Sequence, residues 1–347
     1  MTRWIFVMCL LACVAVAQQN ESKHFNVKDY GAIADGITDD SVAFLKAWND
    51  TCKWNGNASV VIPLGTYMLN PIVFAGPCKG WTIFELRGVL KAPINGPYSD
   101  TTWINFRYIN HLIVNGGGTL DGQGASVWGR KPVLMTMGFA FTNNSYVQQL
   151  HSVNSQNAHL TMFKCNNIVF SNLTITAPHD SPNTDGIKMA KSKGINITSV
   201  HIGTGDDCIA MLSGTNNVHI SNVFCGPGHG ISVGSLGSTV DLDVKDIFVK
   251  NCTFNGTSDG LRIKTWAKPL NHTIKAYNFA YEDIVIIDVQ HPINIDQEYC
   301  PLHNCGNKVS SKVQISNIRY KNIHGSCNGT VPAYNIPHPA YSASLSY

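Results

Sequence analysis

The feature that most constrains this chain is an irregular repeat. Six segments alternate β-forming residues with a small or polar interruption: "NNIVFSNLTI", "KGINITSVHI", "NNVHISNVFC", "KDIFVKNCTF", "YNFAYEDIVI" and "SKVQISNIRY". Their first alternating apolar residues are Ile168, Ile195, Val218, Ile247, Phe279 and Val313, at steps of 27, 23, 29, 32 and 34. Five shorter strand-like runs follow them, headed by Asp185, Asp207, His229, Asp259 and His291. Two strands per repeat with no helix between them predict an all-β chain, a single right-handed parallel β-helix. A β-sandwich fits less well, because the Asp-Gly pairs stand at strand starts and not between paired strands. "HLIVNGGGTLDG" and "NAHLTMFKCNN" extend the solenoid toward the N-terminus. A short helix around Ser41 to Trp48 is expected to cap its first coil, with Asp39 and Asp40 complementing the helix dipole.

Stacked coils lie about 4.8 Å apart, so residues of equal register form rows along one face. Asp185, Asp207 and His229 follow one another at intervals of 22 residues. The next coil offers Arg262 and Lys264, two residues apart and therefore on one side of a strand. A further coil offers Asn294, Asp296 and Tyr299. Carboxylates this close cannot all ionise without cost, so one is expected to hold its proton while another stays a base. Beside them, Arg262 and Lys264 suit an anionic group. Paired carboxylates with adjacent cations predict glycoside hydrolysis of an acidic polysaccharide.

Bulk properties agree with a partner outside the cell. "MTRWIFVMCLLACVAVAQQ" has the charge, apolar core and small-residue site of a secretory signal, with residues 1–17 removed. Two of the 11 cysteines leave with it, so nine remain and at least one is unpaired. Sequons stand at Asn20, Asn49, Asn57, Asn143, Asn172, Asn196, Asn251, Asn255, Asn271 and Asn328. Asn172, Asn222, Asn251 and Asn317 recur at similar repeat positions, which predicts ladder or turn asparagines inside the solenoid and makes Asn172 and Asn251 poor glycan carriers. The net charge of +3 suits a polyanion, but no Lys/Arg cluster interleaves with aromatics as nucleic-acid binding requires. No segment after the signal is long and apolar enough to span a bilayer, and a monomer is expected.

"SPNTDGIKM", "GTGDDCIAM", "CGPGHGISVGSLG" and "GLRIKTW" resemble, in order and spacing, the four signature motifs of polygalacturonases, glycoside hydrolase family 28. The resemblance runs from Phe25 to about Cys327. "GPCKG" and "TAPHDSPNTDGI" are similar to the pollen-type exopolygalacturonases of plants. It implies hydrolysis of α-1,4-galacturonosyl linkages in pectin, with inversion and without metal or other cofactor, in the cell wall. It further implies that Asp206 donates the proton and that Asp185 and Asp207 activate water. His229 tunes the acid, Arg262 and Lys264 bind the galacturonate carboxylate, and Tyr299 contacts the sugar. Asn183 and Gly230 match positions that shape the site. Inversion calls for roughly 6.5–9.5 Å between the carboxyl of Asp206 and those of Asp185 and Asp207. A Cys208–Cys225 disulfide is also implied. Cys52–Cys78 is a candidate fastening for the cap and Cys300–Cys305 a local one, leaving Cys165 and Cys252 as buried thiols and Cys327 over.

Two departures stand out. Lys188 occupies the place of a histidine in most relatives and is expected to alternate outward, adding charge near the cleft. After "HGSCNG", residues 331–347 carry Pro332, Pro337 and Pro339 with no alternation, so they predict an irregular, truncated end and not a further coil of the 18–330 domain. A calcium-dependent pectate lyase and a non-catalytic wall-binding β-helix are the rival functions.

Overall fold

Alternation along each repeat segment places every second side chain inside a solenoid. The computed structural model describes residues 22–96, 98–130, 133–238, 242–268, 270, 272–301, 311–329, 334–335 and 343–346. Their strands form two parallel sheets, one of 16 strands and one of 10, and successive neighbours in each come from successive coils. Ile168, Ile195, Val218, Ile247 and Phe279 stand in register and are buried. Burial of each such side chain contributes roughly 1.5–3 kcal/mol. The sixth member of the row is Ile318, 39 residues after Phe279, and not Val313. Val313 pairs with Ile274, because both long strands begin one alternating stretch earlier than their predecessors.

Each long strand of the larger sheet bends where one residue enters the left-handed region. Gln149, Asn172, Ser199, Asn222, Asn251, Asp283 and Asn322 occupy one such bend. Asn144, Asn167, Gly194, Asn217, Asp246, Asn278 and Asn317 occupy another. Asparagine, aspartate and glycine tolerate this conformation best. Their amides form ladders, as where Asn251 donates to Asn222 at 2.6 Å and Asn317 to Asn278 at 2.7 Å. The recurring asparagines are thus turn residues, but they lie on the exposed outer edges and not inside the solenoid.

The helix is Ser41–Lys53, longer than expected, and it buries Phe44, Ala47 and Trp48 against the first coils. Trp48 packs on Phe74 and Phe106, whose rings continue to Phe139 and Phe170. Asp39 and Asp40 precede the helix, and neither lies in its first turn. Asp40 instead accepts the Ile33 and Ala34 N–H groups, while Asp39 accepts from Ser41 and Asn70. That pair of aspartates ties loops together. The Cys52–Cys78 disulfide holds the helix to the first coils.

Within residues 331–347, Tyr334–Asn335 and Ala343–Ser346 each add a strand, one to each sheet. Pro332, Pro337 and Pro339 lie outside the described residues. Cys208–Cys225 is also bonded, Cys165 and Cys252 are buried free thiols, and Cys327 is free and exposed. Cys300 is disulfide-bonded, whereas Cys305 lies outside the described residues. So do residues 1–21, which contain the expected signal.

Candidate active site

The strand heads of the smaller sheet stand in register, since Ile187, Ile209, Ile231, Leu261 and Ile293 pair in sequence. The row therefore runs Asp185, Asp207, His229, Asp259, His291, continuing past the three members first recognised. Close backbone contacts set it. The Gly205 N–H donates to Thr184 Oγ1 at 3.0 Å, and a Cβ on Gly205 would stand 2.0 Å from the Ser181 carbonyl oxygen. Gly230 has φ +81°, and a Cβ there would meet the Asp259 and Gly260 carbonyls at 2.3 Å. The His229 N–H donates to the Asp206 carbonyl, locking the "GHG" loop onto the "GDD" bend. Asn183, also left-handed, lines the cleft beside them.

Each of the three aspartates has its own basic partner. Lys188 Nζ donates to Asp185 Oδ2 at 2.9 Å, His229 Nδ1 meets Asp206 Oδ1 at 3.1 Å, and Lys264 Nζ donates to Asp207 Oδ2 at 2.6 Å. Ser232 Oγ donates to the other Asp207 oxygen at 2.6 Å, so both oxygens of that carboxylate are engaged. Lys264 is only 6% exposed. It lines the cleft and its chain reaches back two coils to Asp207, whereas Arg262 pairs with Asp259 on its own coil. Lys188 does face the cleft, but its charge is spent on Asp185.

Environment separates Asp185 from Asp206. Burial raises the Asp185 pKa to about 6, with Asp206 and Asp207 adding to the rise and Lys188 opposing it. Burial works in the same direction on Asp206, but the His229 hydrogen bond and charge, with Lys264 and the Asp207 N–H, outweigh it and hold Asp206 below its ordinary value. The hydrogen bond to Asp206 raises His229 in turn, against its own burial. Each of the two groups thus favours the charged form of the other.

Oxygens of Asp206 and Asp207 and a ring nitrogen of His229 lie within 4.8 Å of one another. At least one oxygen of Asp206 thus lies nearer Asp207 than the 6.5–9.5 Å expected between the carboxyl groups. These donors resemble a metal-ligand set, but Lys264 already occupies Asp207 Oδ2 and His229 is biased toward its charged form. On the next coil Arg262 meets Asp259 at 3.3 Å, and Asn294 and Ser258 also donate to Asp259. Tyr299 stands edge-on to Trp266, with its ring 5.7 Å from the Arg262 guanidinium and 5.5 Å from Lys264 Nζ. Asp185, Lys188, Asp206, Asp207, Lys264 and Tyr299 line one open cavity of about 480 Å³. The sequence places Asp259 only at the head of a strand and does not point to Ser232. Their signal was register alone, Ser232 beside Ala210 and Asp259 heading the coil after His229.

A parallel β-helix with this clustered acid–base cleft is the architecture of a polysaccharide-processing enzyme. The profile of glycosyl hydrolases family 28 matches residues 52–336, and a rhamnogalacturonase A/epimerase, pectate lyase-like profile matches residues 24–75. An exopolygalacturonase of Platanus acerifolia is 42% identical over 325 residues, covering 90% of this chain and 85% of that protein. A polygalacturonase of Medicago sativa is 43% identical over 320 residues, covering 85% and 76%. Two solved structures share the fold. The exopolygalacturonase of Thermotoga maritima has a TM-score of 0.72 at 17% identity, over 87% of this chain and 81% of that one. The polygalacturonase of Erwinia carotovora ssp. carotovora has 0.71 at 19%, over 94% and 97%. The chain belongs to glycosyl hydrolases family 28 and is a right-handed parallel β-helix glycoside hydrolase.

Proposed function

We propose that this protein hydrolyses α-1,4-galacturonosyl linkages of polygalacturonate by general acid–base catalysis with inversion. The observation that carries this reading is the set of three aspartates, each with its own cationic or imidazole partner, in one open cleft. Asp206, hydrogen-bonded to His229, serves as the general acid toward the glycosidic oxygen. Asp185 and Asp207 orient the attacking water. Asp207, with both oxygens engaged by Ser232 and Lys264, is a poor nucleophile but a fixed acceptor. Arg262 takes the substrate carboxylate and Tyr299 contacts the sugar, while Asn183 and Gly230 hold the loops that bound the cleft.

Exo action fits the names of several relatives, among them those of Platanus acerifolia and Zea mays. Removal of residues 1–17 would place a monomer in the plant cell wall, and no helix among the described residues is long and apolar enough to cross a membrane. Product analysis on purified protein with polygalacturonate tests the reading. Monogalacturonate alone supports exo cleavage, and mixed oligomers support endo cleavage. Unsaturated products lost on chelation would replace hydrolysis by a lyase reaction, and no product at all would leave a wall-binding protein.

A further inference from the structure

The smaller sheet carries a second pattern, on the coils that precede the acids. At the bend after its strands, Tyr108, Phe141, Lys164 and Lys191 occupy equivalent positions, each N–H donating to the carbonyl one coil on. All four adopt the left-handed conformation, with φ between 51° and 58°. At the two bends of the larger sheet, asparagine, aspartate and glycine fill most such places, as sterics favour. Here bulky aromatic and cationic residues fill four in succession, which local backbone preference opposes. Tyr108 stacks on Phe141 at 5.0 Å and is 57% exposed. Phe141 meets Phe163 edge-on at 5.9 Å, and Phe163 is 40% exposed. Lys164 Nζ stands 5.3 Å and 5.5 Å from these two rings, and Lys191 Nζ stands 5.8 Å from Phe163.

Lys191 also lines the catalytic cavity, and Phe163 sits one coil before Ala190, which lines it too. The ladder is therefore continuous with the cleft and runs about 14 Å from it, three coil spacings. Aromatic faces accept the C–H faces of sugar rings, and the ammonium groups beside them suit carboxylates. A neutral glycan would use the rings but not the lysines.

Resting on the function proposed above, we propose that Tyr108, Phe141, Phe163, Lys164 and Lys191 form a platform binding the stretch of acidic polysaccharide that extends beyond the reacting bond. Its role is affinity for long chains, separate from the chemistry.

The test compares wild type, Phe163→Ala and Lys164→Ala on long polygalacturonate and on trigalacturonate. Phe248→Ala serves as a control, since Phe248 is equally exposed and stacks on His219, but on the larger sheet. Each ladder variant should raise KM for the long chain about threefold or more, the scale of one exposed cation–π contact. kcat, the values for trigalacturonate and the control should stay unchanged. Equal KM values for the long chain in active wild type and both ladder variants would overturn the platform. If wild type hydrolyses neither substrate, the catalytic reading fails separately. Calorimetric binding of polygalacturonate then decides: weaker binding by both ladder variants upholds the platform, and equal binding overturns it.

Discussion

Lys264 Nζ lies 2.6 Å from Asp207 Oδ2, and both side chains are almost completely withdrawn from solvent. Removing one partner of such a pair leaves a buried charge uncompensated, at a cost of roughly 3–5 kcal/mol. Lys264→Ala should therefore lower the melting temperature and kcat together. Arg262→Ala should act on KM for polygalacturonate and narrow the preference for charged over methyl-esterified chains. Thermal denaturation with steady-state kinetics of both variants checks this, and a Lys264→Ala protein with unchanged stability and raised KM would return Lys264 to substrate binding.

Asp206→Asn preserves shape but cannot deliver a proton. The rate should fall at least about 10²-fold while the circular dichroism spectrum is retained. Near-normal turnover by the folded variant would remove Asp206 from the role of acid.

Lys188 is a positioning residue acting through Asp185. Its charge lowers the Asp185 pKa, against burial and the two neighbouring aspartates that raise it to about 6. A base works only when ionised, so activity should rise as pH increases through that value. Lys188→Ala removes the opposing charge, raises the Asp185 pKa further and should move the acid limb of the kcat profile to higher pH. A pH–rate profile unchanged on its acid side would show that another group sets that limb.

Stereochemistry should be inverting even though oxygens of Asp206 and Asp207 approach within 4.8 Å. A carboxylate held at both oxygens by Ser232 and Lys264 is poorly placed to attack carbon and is left to orient water. NMR of the first product formed decides it, with an initially retained anomer contradicting the assignment.

Burial pushes the thiols of Cys165 and Cys252 up to about 11, whereas Cys327 is exposed. Iodoacetamide should label Cys327 in the native protein, and Cys165 and Cys252 only after unfolding. Native labelling of Cys165, read by peptide mass mapping, would show that the coil around it opens.

Much of the solenoid was legible because parallel stacking turns period-two alternation into buried rows. Ile168 to Phe279 could be aligned by eye and pair as aligned. The same reasoning failed at Val313, where two alternating stretches meet at left-handed Asn317 and only pairing shows which is in phase.

The sequence by itself determined the solenoid and brought Asp185, Asp207 and His229 into one row, because register in a stacked helix depends on counting along the chain. Only the tertiary structure decided which base serves which acid. Lys188 reaches Asp185 within its own coil, whereas Lys264 crosses 57 residues of sequence to Asp207. A long flexible side chain can meet several lateral neighbours, and the choice rests on burial and on charges supplied by other coils. No local pattern carries that information.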